Sequence, residues 1–251
     1  MLSTILVGLG CGVLIGSVGV GGVLLVPSLT QFSGIPVQTA IAASMGAYVV
    51  AGVVGSLMFA RRGAVDWREA RPLWIGSAPA AALGAFAVRL ASPAALEALI
   101  AAAAILSGLY ASRRSHASMA CDGRRLGGRS GLVIGAVTGF FSALTGTSGP
   151  VVLMPILLWL GVAPLTAVGL AQTIQIPIAL LASAGNFATG SIDLRLAALI
   201  ALGLGSGALA GARMAHEVRP ELLRRSVTIM LIGTGLLLCL KVAAQLAAAP
   251  G

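Results

Sequence analysis

Charge is scarce along this chain. Of its 251 residues only 9% are charged, against 58% hydrophobic. A soluble domain is about 25% charged, so this chain could not cover its own surface with polar groups, and a soluble domain is excluded anywhere along it. Histidine is confined to His116 and His216, both in polar loops. With no Cys–His pair, no paired carboxylates, no H-E-x-x-H spacing and no G-x-G-x-x-G string after a strand, an embedded enzyme has no constellation to work with. Cys11, Cys121 and Cys239 are odd in number and widely spaced, which excludes a disulfide framework and a thiolate metal site; no cofactor is implied. Aromatics make up 4% and do not interleave with the basic residues, so the net charge of +9 does not read as a nucleic-acid surface. The first residues lack a basic n-region, so the opening apolar segment is expected to be retained and not cleaved as a signal peptide.

What is present is apolar length. Runs recur at 37–60, 73–91, 94–112, 131–161, 164–188, 196–215 and 226–247, each near or above the ~20 residues that span ~30 Å of hydrocarbon. The arginines fall in short loops between the runs, as they do where basic residues set orientation in a membrane. The expectation is an all-α polytopic membrane protein with the bilayer as its partner, multi-pass in a bacterial cytoplasmic (inner) membrane.

The chain is a duplication. "GVGGVLLVPSLTQFSGIPVQTA" (19–40) aligns with "TSGPVVLMPILLWLGVAPLTAV" (147–168), which sets Pro27 on Pro155 and Pro36 on Pro164. One residue of slippage later, Asp66 meets Asp193 and Arg68 meets Arg195. Gly76, Ala80 and Gly84 then meet Gly203, Gly207 and Gly211, and Pro93 meets Pro220. The repeats are 1–112 and 130–251, joined by a basic linker at 113–129. The glycine triplets, with Gly8/Gly12/Gly16, put small residues on one helix face at intervals of four, which lets backbones approach closely in lipid; they read as packing faces.

Each repeat opens with an apolar stretch that breaks itself. Residues 3–33 as one helix would be about 46 Å long, and "GSVGVGG" sits at its centre, where each glycine costs about 1 kcal/mol relative to alanine. "SALTGTSGPVVLMP" (142–155) carries the matching break with hydroxyls added. If each broken segment crosses once, the repeats are parallel and Arg213, Arg219, Arg224 and Arg225 lie outside. If each enters and returns on one side, the repeats are inverted, three further helices cross in each, and loops 61–72, 113–129 and 213–225 are all cytoplasmic. Basic-residue asymmetry favours the inverted arrangement. The second helix of each hairpin then begins at its tip, near Gly22 and Pro150, with free N–H groups and a positive dipole end aimed inward. Such an end binds anions, and discontinuous helices in corresponding places of two halves point to a transport site.

Polar residues inside the apolar runs are few, so each is informative. At the tips are Ser17, Thr145, Thr147 and Ser148. After the second hairpin come Gln172 and Gln175, roughly on one helix face, and Asn186 near the end of the same run. Ser44 is the repeat mate of Gln172, and Tyr48 follows one turn later. No Asp, Glu, Lys, Arg or His lies mid-run, so the site is expected to be neutral and rich in donors, which suits a small anion. Arg89 and Arg213 lie near helix ends, where they can draw anions to a vestibule or snorkel to the interface.

With its paired "GVGGVLLVPSL" and "TGTSGPVVLMPIL", each followed by a proline turn ("GIP", "VAP"), the chain resembles the sulfite exporter TauE/SafE family of membrane transporters over nearly its whole length. The resemblance implies transport of small sulfur-containing anions: sulfite, organosulfonates such as sulfoacetate, or another small organic acid. It carries over to Gly19, Gly21, Gly22, Thr147, Ser148, Gly149 and Pro150. The first tip has no hydroxyl between Val18 and Val26, so it would hold an anion through backbone N–H groups. A carrier that alternates access around the tips is the expected mechanism; a channel is the rival. A homodimer is compatible with the sequence and not required by it.

Overall fold

A computed structural model describes residues 2–18, 21–61, 63, 65–113, 126–188, 190, 193–214, 229, 232–233 and 235–240. The described residues form helices and no strands. In chain order these are α1 (Leu2–Val18), α2 (Gly22–Ser33), α3 (Val37–Arg61), α4 (Trp67–Leu90) and α5 (Pro93–Arg113), then α6 (Gly128–Thr145), α7 (Gly149–Trp159), α8 (Pro164–Ala188) and α9 (Leu194–Met214). Residues 235–240 are also helical. Among the described residues, four helices are long and apolar enough to cross a bilayer: Val37–Arg61, Trp67–Leu90, Thr166–Ala188 and Leu194–Gly211. The two halves of each broken stretch are shorter, as anticipated from their glycines.

Local chemistry sets the helix ends. Proline opens α5 and α8, where its missing N–H costs nothing. Gly34 (φ 64°) ends α2 and Gly146 (φ 66°) ends α6, both in the left-handed region that glycine enters freely. The repeat landmarks Asp66 and Asp193 are helix caps: Asp66 Oδ1 accepts from the Arg68 N–H at 2.9 Å and Asp193 Oδ1 from the Leu196 N–H at 3.0 Å. Capping moves the start of α4 back to Trp67. Arg68 and Arg71 therefore ride on its first turns, not in a loop as the hydropathy pattern suggested.

Packing follows the small residues. Along α1 and α9, Gly8 faces Gly203 and Gly12 faces Gly207, where a Cβ on Gly12 would lie 3.0 Å from the Gly207 Cα. The two helices therefore run parallel. On α4 and α6, Gly135 lies against Leu73, Gly139 against Ser77 and Gly84 against Phe140, again parallel. The glycines of α6, Gly131, Gly135 and Gly139, form a fourth small face that the sequence reading passed over. Between them α3 and α8 cross in opposite directions: Gly52 touches Ile176, while the Ser56 hydroxyl donates to the Gln172 carbonyl at 3.1 Å. Large apolar side chains such as Phe32, Leu57, Leu83, Trp159 and Leu202 point outward, as expected of a surface bathed in lipid.

Candidate anion site

The starts of α2 and α7 meet. A Cβ placed on Gly22 would lie 2.5 Å from the Ser148 Cβ and 2.9 Å from the Ser148 nitrogen, so only glycine permits this approach. Gly21 packs on α1, where an added Cβ would collide with the Cys11 carbonyl and lie 2.9 Å from the Ile15 side chain. Gly146 packs against Val26 and Ile41 of the first repeat. Two helix N-termini are thus apposed. The Leu24 and Val151 N–H groups are taken by the Gly21 and Ser148 carbonyls at 3.2 and 3.1 Å and Pro150 has none, so the first-turn donors left without a helical carbonyl are the N–H groups of Gly22, Val23 and Gly149.

The surroundings come from the middle of α3 and α8. Tyr48 and Gln175 are each the twelfth residue of a 25-residue helix. They lie 127 residues apart (175 less 48), the spacing that pairs Asp66 with Asp193. The Tyr48 hydroxyl donates to the Gly22 carbonyl at 2.6 Å. A Cβ on Gly149 would lie 3.6 Å from the Gln175 Cα and 3.0 Å from the Ile174 side chain. Each tip is therefore braced by the middle of the long helix that follows it.

Not every candidate has the same surroundings. Ser148 occupies the N-cap of α7, where a serine ordinarily bonds a free N–H, yet its hydroxyl makes no cap bond and is buried without a partner. Both amide atoms of Gln175 are buried and unpartnered, as are Gln172 Oε1 and the Ser44 hydroxyl. Gln172 Oε1 faces Gly55 on α3, 2.6 Å from where a Cβ would stand. Thr145 and Thr147 satisfy each other instead: Thr145 donates to the Phe141 carbonyl at 2.7 Å and lies 2.8 Å from the Thr147 hydroxyl. Tyr48 spends its single proton on Gly22, so toward a ligand it can only accept. Gly19 lies outside the described residues, and Ser17 is described only by its place in α1. Two residues the sequence reading missed are Thr138 and Ser142, fully buried one turn apart on α6 with unpartnered hydroxyls; hydroxyls four apart on a glycine-rich helix were the available signal.

The chemistry of this centre is one-sided. Leaving a buried polar group unpaired costs about 1–3 kcal/mol; Ser148 stands at the joint of the two helix ends and Gln175 on the helix packed against Gly149. Ser148 and the Gln175 amide nitrogen offer protons, as do the free N–H groups, and none of the residues named above carries a charge. The buried carboxylates lie elsewhere: Glu69 in the first turn of α4, accepting from the Leu126 N–H at 3.1 Å, and Glu97 near the start of α5.

Fold and centre together define a polytopic helical membrane protein with paired interrupted helices. The sequence model of the family Sulfite exporter TauE/SafE matches residues 4–238, nearly the whole chain, and the chain belongs to that family. It is a family of membrane transporters, not of enzymes. Neither a curated protein nor a solved structure matches the chain at comparable significance.

Proposed function

We propose that this transporter is a secondary carrier for a small sulfur-containing anion, sulfite or an organosulfonate such as sulfoacetate. It would hold the anion between the N-termini of α2 and α7 and expose it alternately to the two faces of the cytoplasmic membrane. The observation that carries this reading is the contact of Gly22 with Ser148. What supports it is an unused serine hydroxyl at the joint of two helix N-termini, with Gln175, whose amide is unpartnered, on the helix that packs against Gly149. Preformed donors aimed at one point suit an oxyanion and repel a cation.

Inverted repeats are part of the proposal. Antiparallel α3 and α8, with parallel pairs α1/α9 and α4/α6, fit two hairpins that enter from opposite faces and return. That arrangement also keeps most basic residues on one side, which we assign as cytoplasmic. Alternating access then amounts to one repeat rocking against the other about the tips.

The test is thermal stabilisation of the purified protein by sulfite, sulfoacetate, sulfate, acetate and chloride, followed by counterflow in liposomes. A ligand of the folded state raises the melting temperature with occupancy. A shift with sulfite or a sulfonate and none with chloride, together with counterflow, is the expected result. No shift with any anion well above millimolar would overturn the reading, and flux without saturation or counterflow would make the protein a channel.

A further inference from the structure

Away from the tips, the start of α3 and the ends of α4 and α8 enclose a cavity of about 160 Å³ lined by Gln38, Val88, Arg89 and Asn186. That is more than ten times the roughly 10–15 Å³ one water needs. Among the described residues that line it, three of four are polar and none is acidic. We infer that this cavity is a second subsite for the same class of small oxyanion, on the path between the central site and one face of the membrane. The inference rests on the anion-carrier reading above.

The sign of the field is the first argument. Arg89 is always charged and has five N–H donors. The C-terminal carbonyls of α4 would oppose it, but the Gln38 side-chain nitrogen donates to the Ala91 carbonyl at 3.3 Å and the Val88 carbonyl at 3.5 Å. Gln38 thereby occupies those carbonyls. Asn186, only 1% exposed, brings a buried amide to the same wall.

The route is the second argument. Asn186 stands eleven residues beyond Gln175 (186 less 175), three turns along α8, so the two share a face about 16 Å apart. On the stripe between them lie Ala179 and Ala182, both buried. Across from α8, Gly185 meets the Ala85 methyl at 3.4 Å and the Ala82 carbonyl at 3.7 Å, measured from a Cβ placed on Gly185. Small groups close this lane. Parting α4 from α8 there would break no polar contact among Ala82, Ala85 and Gly185.

The subsite is also one-sided. In the sequence repeat, Thr166, His216 and Phe59 take the places of Gln38, Arg89 and Asn186, so this trio of residues is not duplicated. A carrier that meets its anion on one face at low concentration gains from a charged antechamber on that face alone.

The test uses the full chain in liposomes, with uptake of radiolabelled sulfite and sulfate measured from each face. Arg89→Gln and Asn186→Leu are expected to raise the half-saturating concentration about tenfold from the face bearing Arg89 and leave the other face unchanged. Arg89→Lys should keep most of the affinity, and Gln175→Leu should impair both faces. Wild-type behaviour of Arg89→Gln and Asn186→Leu on both faces, with Gln175→Leu inactive, overturns the subsite and leaves the carrier reading standing. Equal losses from both faces also overturn it. Absence of saturable flux in the unaltered protein overturns the carrier reading and the subsite together.

Discussion

The hydroxyl of Tyr48 donates to the carbonyl of Gly22 at 2.6 Å, tying the middle of α3 to the first residue of α2. The bond occupies the Gly22 carbonyl, one of the acceptors at that tip, and holds the start of α2 in place. Tyr48→Phe should keep the fold, since one buried hydrogen bond contributes about 1 kcal/mol. It should raise the half-saturating anion concentration severalfold by loosening the tip. A transport assay paired with a melting curve reads both; unchanged affinity with a lowered melting temperature would reduce Tyr48 to a packing role.

Gln175 offers a sharper separation of stability from function. Its amide is buried without partners, and replacing such a group by an apolar side chain of similar size is close to neutral for folding or stabilising. Gln175→Leu is therefore expected to melt at the same temperature or higher and to lose anion-induced stabilisation. A destabilised variant that still transports would show that the amide serves the fold.

Ser148→Ala removes one hydroxyl and keeps the Cβ that packs on Gly22. Because that hydroxyl makes no cap bond, the usual capping loss of about 1 kcal/mol should not appear in a melt, while anion affinity falls severalfold. Gly149→Leu, which would drive a side chain into Ile174 and Ile178, should abolish transport in a protein that still inserts and purifies. Normal uptake by Gly149→Leu would remove the tips from the mechanism.

The glycines of the α1/α9 seam should behave in the opposite way. A Cβ on Gly12 collides with the Leu204 carbonyl, and one on Gly207 lies 2.9 Å from the Val13 nitrogen. Gly12→Val or Gly207→Val should cost stability, about 1–3 kcal/mol or more for overpacking, and lower the yield of folded protein. Anion affinity of the surviving fraction should stay near that of the unaltered chain. Full stability of both variants would mean that the helices are not in this register.

Composition and period alone carried the membrane class, the two broken stretches and three of the four small-residue faces. Each of these is written locally, in apolar run length, in spacings of four, or in a proline and glycine at a fixed place. The starts of α2 and α7 were legible for the same reason, since Gly22 and Pro150 mark helix beginnings whatever lies around them. Asp66 and Asp193 were legible as landmarks but not as caps, because a cap is defined by the N–H it receives. Which polar groups are spent was beyond the sequence: Tyr48 and Ser148 look equally available in a string of letters. Only the fold sets one against a carbonyl at 2.6 Å and leaves the other unpartnered. The meeting of Gly22 with Ser148, and of Arg89 with Gln38 and Asn186, joins residues more than a hundred positions apart in part. Such pairings depend on how helix backbones close in three dimensions, and that distance information is absent from any one segment.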